Sequence, residues 1–205
     1  MALGPRNAYC SPKFCKPGDR IIITKGPAIE ATGIFSAMFP DRIEKRYGTA
    51  LRKQAESVFN LMSIVEDARI AASVGTRDQG VSAMHDATEY GIRGGLHEFA
   101  RAAQLGLVVH QDEIVVTPSV REVCEMFQID PFNSISEGTL IASVRPHAAG
   151  EVLTRLHDAG ISASVCGAMT DAAQGILMVE GGKNRPLAHP GVDPFWEAFY
   201  KALKP

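Results

Sequence analysis

The stretch "HDATEYGIRGGLHEF", residues 85 to 99, gathers the side chains most able to do chemistry in this chain. It holds two histidines (His85, His97), three carboxylates (Asp86, Glu89, Glu98), the Thr88 hydroxyl, the Tyr90 phenol and three glycines. Before it "GVSAM" alternates like a short strand entering a core. After it Ile92, Leu96, Phe99, Ala100 and Ala103 recur at helical spacing. The segment therefore reads as a strand-to-helix turn, where backbone N–H groups face outward and glycine admits close approach of a backbone or ligand. Asp86 and Glu137 are the carboxylates placed to orient a substrate or hold a cation through water, against the plainer expectation that Asp86 caps a helix and Glu137 is a solvated loop acid. His85 and His97 are the residue type suited to acid–base work, yet a strand-end and a helix-surface histidine are more often structural. Lys25, just after the strand "RIIIT", could meet a phosphate as a point charge.

The elements that must position these groups follow from periodicity and punctuation. Residues 1 to 17 lack a period and read as an irregular, mobile arm. A strand over "RIIIT" leads to a helix from Ala28 to Phe39, stopped at Pro40. Residues 49 to 74 form two helices, because Ser63 and Glu66 have capping-box spacing. "GLVVH" is a strand and "EIVV" a short extended piece; Thr117 and Pro118 open a helix that buries Val120, Val123, Cys124 and Phe127. "GTLIASV" is a strand, Pro146 starts a helix ending at Gly160, and "ISASV" and "GILMVE" are further strands. "EGGKNRPLAHPG" reads as a turn. Asp193 and Pro194 open a final helix with Phe195, Phe199, Ala202 and Leu203 inward. The sum is one α/β domain, a mixed β-sheet covered by helices.

Composition narrows the functions. The 205 residues are 45% apolar with net charge -2, enough for a sizeable core and without the basic field of a nucleic-acid binder. Apolar runs are strand-sized and no signal-peptide core opens the chain, which reads as a cytoplasmic protein that is not membrane-bound. Cys10, Cys15, Cys124 and Cys166 follow no zinc pattern; Cys124 reads as a buried thiol and the first two as exposed free thiols.

With these residues laid out, the sequence resembles the aminoimidazole-ribonucleotide (AIR) synthetase superfamily, in its second, PurM-like domain and nearest the hydrogenase-maturation HypE branch. The turn motif matches through Asp86, Thr88, Gly91, Leu96 and Glu98; "SISEGTLIASV" matches through Ser136, Glu137, Gly138 and Leu140; "KPGDRIIITKG" looks like the start of that domain. The resemblance implies residues 18–205 as the second domain of an ATP-dependent enzyme that phosphorylates an amide or carbonyl oxygen, or a selenide, at an interdomain cleft. ATP and Mg²⁺ are the implied cofactors, with Lys25, Thr88, Gly91 and Gly94 toward the nucleotide and Asp86 and Glu137 catalytic. A first domain is the implied partner, the substrate a small molecule or a protein, and self-association into homo-oligomers is expected of the uncovered face. Glu89 and Tyr90 depart from the arginine or glycine that related branches carry after D-x-T. They favour the alternative, a non-catalytic metabolite- or protein-binding module.

Overall fold

The computed structural model describes residues 9–204. Seven strands form one mixed sheet: β1 (Arg20–Thr24), β2 (Val81–Asp86), β3 (Gly106–His110), β4 (Leu140–Val144), β5 (Ala163–Thr170), β6 (Ile176–Glu180) and β7 (Lys183–Pro186), in the order β2-β4-β1-β5-β3-β6-β7. Every pairing is antiparallel except β3 with β6. The helices are α1 (Ile29–Met38), α2 (Pro40–Val58), α3 (Val65–Val74), α4 (Gly91–Ala103), α5 (Pro118–Phe127), α6 (Pro146–Asp158) and α7 (Pro194–Ala202).

Strand alternation sorts the core into layers. Ile21 and Ile23 of β1, with Ile141, Leu107 and Cys166, face Ile92, Leu96, Phe99 and Ala100 of α4. Ile22, one residue out of phase, faces the opposite layer, where Ala71 of α3 and Ala149, Val152 and Leu156 of α6 pack. A third cluster lies among helices: Phe35 of α1 stacks on Phe127 of α5 with ring centroids 3.9 Å apart, and Phe195 and Phe199 of α7 close it.

Most elements lie where periodicity put them, and the differences have local causes. Pro40 ends α1 and also opens α2, since a proline costs nothing at a first helical position; Gly48 then kinks α2. The capping box is not formed: Ile64 occupies the N-cap of α3, and the Ser63 hydroxyl accepts from the Val65 N–H instead. "EIVV" leaves a 3-10 turn at Glu113 and is extended at Ile114, as expected, without pairing to a strand. β7 falls inside the segment read as a turn; Gly181 and Gly182, both with positive φ, make it the return strand of a hairpin with β6. Leu203 is exposed because α7 ends before it.

Residues 1–8 of the arm lie outside the described residues; the rest of it docks. The Ser11 N–H donates to Ser82 O on the β2 edge, and Arg77 lies over the Tyr9 and Phe14 rings. Cys10 and Cys15 are consequently half-buried rather than exposed, and burial raises both thiols. Cys124 and Cys166 are buried and pushed up to about 12. Thiol labelling of the native protein at pH 8 is expected to leave Cys124 and Cys166 unmodified until denaturant is added, since the thiolate is the reacting form. Native labelling at either would show that these helix and sheet layers open.

Candidate functional site

Three turns meet at one end of the sheet: residues 24–29 after β1, 86–91 after β2 and 135–140 before β4. Antiparallel pairing sets Asp86 opposite Leu140, so the second and third turns leave the same edge side by side. Hydroxyls then join all three. Thr139 Oγ1 donates to Gly26 O at 2.6 Å and lies 2.8 Å from Ser136 Oγ. The Ala87 N–H donates to Thr139 O, and the Ser136 N–H to Thr88 O. Thr24 Oγ1 accepts from the Leu140 N–H and donates to Asp67. Short polar side chains thus satisfy backbone groups that a sheet ladder would otherwise have taken.

The β2–α4 turn is held tightly. Tyr90 and Gly91 both have left-handed φ, 62° and 58°. A Cβ at Gly91 would lie 2.5 Å from Ser134 O and 2.9 Å from Phe132 O, so glycine is required by protein backbone. At Gly94 the close neighbour is the Tyr90 side chain. Both glycines are buried. Tyr90, and not Asp86, is the N-cap residue of α4, and its N–H donates to Asp193 Oδ2 at 2.8 Å. Thr88 is exposed beside this turn.

The sequence candidates divide into groups. Asp86 ends β2, its carboxylate 3.5 Å from His85 Nδ1. Glu137 is exposed, and its N–H donates to the Glu30 carboxylate. Burial raises the Glu30 pKa; the Glu137 N–H opposes this, and the charges of Glu137, Asp193 and Glu89 add to it. Burial likewise raises Asp193, again with Glu89 acting on it. Glu137 therefore belongs to an acidic group with Glu30, Glu89 and Asp193, whereas Asp86 lies beside His85. Lys25 is turned inward: its side chain is 8% exposed, and Nζ donates to Leu61 O, Ser63 O and Asp67 Oδ2. Its three protons are spent on the α2–α3 connection in this conformation.

Glu30 and Asp193 were missed as site residues. Each sits at a helix start and reads from sequence as a capping or first-turn acid; only the tertiary approach of α1, α7 and the β2–α4 turn joins them. The histidines serve α4's outer face. The Glu98 carboxylate is 3.3 Å from His85 Nε2 and 3.4 Å from His189 Nε2. His189 Nδ1 accepts from the Gly191 N–H, which leaves the proton on Nε2 for Glu98. His97 Nδ1 meets Leu187 O at 3.0 Å. His97 and Glu98 thus anchor the segment after β7, and Arg93 is paired with Asp130 and Glu180.

A mixed seven-stranded sheet with helices on both faces is the α/β fold of the PurM-like C-terminal type. Over residues 16–180 the chain matches the family described as AIR synthase related protein, C-terminal domain, and it belongs to that family. It is 35% identical over 117 residues to carbamoyl dehydratase HypE of Escherichia coli (strain K12), covering 56% of this chain and 35% of that one. It is 27% identical over 100 residues to a putative hydrogenase expression/formation protein of Methanocaldococcus jannaschii, covering 48% and 30% of the two chains. The crystal structure of E. coli HypE superposes with a TM-score of 0.75 at 24% identity, over 95% of this chain and 56% of that one. A HypE structure in complex with ATP superposes at 0.64 with 21% identity, over 91% and 55% of the two chains. The chain therefore spans only about a third of the HypE sequence it matches and just over half of the HypE structures. No described helix is long and apolar enough to cross a membrane.

Proposed function

We propose that this chain forms one wall of the cleft of an ATP-dependent, HypE-like enzyme that transfers a phosphoryl group to an amide or carbonyl oxygen. The observation that carries the reading is the hydrogen-bonded meeting of three turns that bear the family's motif residues, Asp86, Thr88 and Glu137, at one end of the sheet. Phosphoryl transfer depends chiefly on positioning and charge stabilisation, and turns tied at several points supply the first. In this reading the exposed Thr88 hydroxyl faces the phosphates, and Asp86 and Glu137, which leave neighbouring turns in separate side-chain groups, are the carboxylates offered to the acceptor. Gly91 and Gly94 act by letting the turn close against 132–134 and Tyr90, and Lys25 acts by fixing the β1 turn to α3.

The fit to the nucleotide is partial. Lys25 is spent, Glu30 and Glu89 add negative charge, and no group of three metal-ligating side chains among the described residues could hold a metal ion. In this reading the cations and metal ligands for Mg·ATP come from a second domain. Calorimetric titration of this chain alone is expected to give a Kd weaker than about 1 mM for Mg·ATP. Binding should appear when the amino-terminal half of a HypE relative is supplied with it. Sub-micromolar affinity of the chain alone would refute the composite cleft.

The acidic group favours one other reading. Four carboxylates around the turns repel a polyanion, which suits a binding module that kept the fold without ATP chemistry. Failure to bind nucleotide even with the complementary half would select it.

A further inference from the structure

A cavity of about 420 Å³ lies between the β6–β7 hairpin and residues 187–192, beside the β2–α4 turn, whose Tyr90 ring meets His189 of the lining. Pockets of about 300–1,000 Å³ hold small molecules, and they work through a few polar groups set in apolar walls. Here the hairpin supplies both. Met178 and Glu180 lie two residues apart on β6 and so share a face; the register sets Arg185 of β7 opposite Met178. Leu187 and Val192 add apolar wall.

The two charges differ in how firmly they are held. Glu180 is fixed, because Arg93 Nη2 donates to its Oε1 at 2.7 Å while Arg93 is itself held by Asp130 and Gln111 above the Phe132 ring. Arg185 is loose: its side chain is 63% exposed and only Nε approaches Glu180, at 3.2 Å. Its terminal nitrogens are a planar fork suited to a carboxylate. Arg93, Arg185 and Glu180 line the cavity, and Asp130, outside the lining, pairs with Arg93, so the charges balance and give no net advantage to a purely anionic or purely cationic ligand.

We propose that this cavity binds a free α-amino acid with an apolar side chain. The ligand carboxylate takes the Arg185 fork, the ammonium takes the remaining lone pairs of Glu180, and the side chain lies on Met178, Leu187 and Val192. The wall facing the ligand is already anchored, since His97 holds Leu187 and Glu98 holds His189.

The test is a ¹H–¹⁵N NMR titration of the full chain with L-methionine and L-leucine, beside isovalerate and isopentylamine, which each carry one charge. Saturable shifts are expected at residues 178–180 and 185–192 with either amino acid. Affinity should fall at least about tenfold for each single-charge analogue and for Arg185→Ala, the cost of one lost charge-assisted contact. Arg185 is exposed, so its replacement leaves the fold intact, and a thermal melt verifies this. Glu180→Gln should weaken the amine analogue and spare isovalerate. Absence of shifts with both amino acids at about 10 mM, far above the range of a working site, would overturn the proposal. So would equal affinity of isovalerate and L-leucine, or an unchanged affinity in Arg185→Ala.

Discussion

Replacing Asp19 by alanine is expected to cost about 3–5 kcal/mol of folding stability, because it strands a buried arginine. Asp19 is 1% exposed at the start of β1, and both its oxygens lie 2.7 Å from Arg145 Nη1. It also accepts from the Ser82 and Ser143 hydroxyls and from the Lys16 N–H. Arg145 in turn reaches Phe14 O and Asp78, so the pair ties the docked arm, β1, β2 and the β4–α6 junction together. Denaturant melts of Asp19→Ala and Asp19→Asn separate charge from shape. Asn should lose less than Ala, because its carbonyl oxygen still accepts from Arg145 and one serine. A shift under about 1 kcal/mol, the size of an exposed ion pair, would show that water enters this corner. The site lies at the other end of β1, so the loss should appear as stability and leave the three turns in place.

The sheet was legible in the sequence because its strands carry strong signals. "RIIIT" and "LIASV" are central strands buried on both faces, and short apolar runs bounded by turn residues mark such strands well. β7 was hidden because "KNRP" has four exposed residues and no alternation; its place comes from the hairpin and from Pro186 sitting on an edge. The helix from Pro40 to Tyr47 was hidden because proline reads as a terminator, and only its neighbour Phe39 shows that one helix stops as another begins.

The candidate site was legible as motif and turn, but not as contact. Spacing brings Asp86 and Thr88 to the end of a strand and Glu137 to the start of another, and pairing of β2 with β4 joins those ends. Side-chain direction is a different matter. Asp86 lies against His85, and Glu137 falls in with Glu30, Glu89 and Asp193, a grouping that depends on how α1 and α7 dock. The glycines illustrate the limit from another side. Sequence says that something approaches Gly91 closely; the structure says that it is the backbone at Phe132 and Ser134.

Lys25 marks the sharpest difference between motif and structure, and it yields the second large effect. Asp67→Ala is expected to destabilise the protein by about 3–5 kcal/mol, because Lys25 would keep its buried charge with only two carbonyls as partners. Thr24 would also lose the acceptor of its hydroxyl, 2.6 Å away, and Thr24 holds the Leu140 N–H at the mouth of the third turn. Lys25→Met alone should cost less than Asp67→Ala, since Thr24 still donates to the carboxylate. Combined with Asp67→Asn it should recover much of the loss, for the amide oxygen accepts from Thr24 and no charge remains buried. A double-mutant cycle by denaturant melting reads this coupling directly. Lys25→Met as stable as the parent would mean that the ammonium is free to leave Asp67. Lys25 would then be available to a phosphate, and nucleotide affinity with the complementary half would fall in that variant without any loss of fold. If instead stability falls and the double variant binds nucleotide as the parent does, Lys25 serves the cleft by holding the β1 turn to α3.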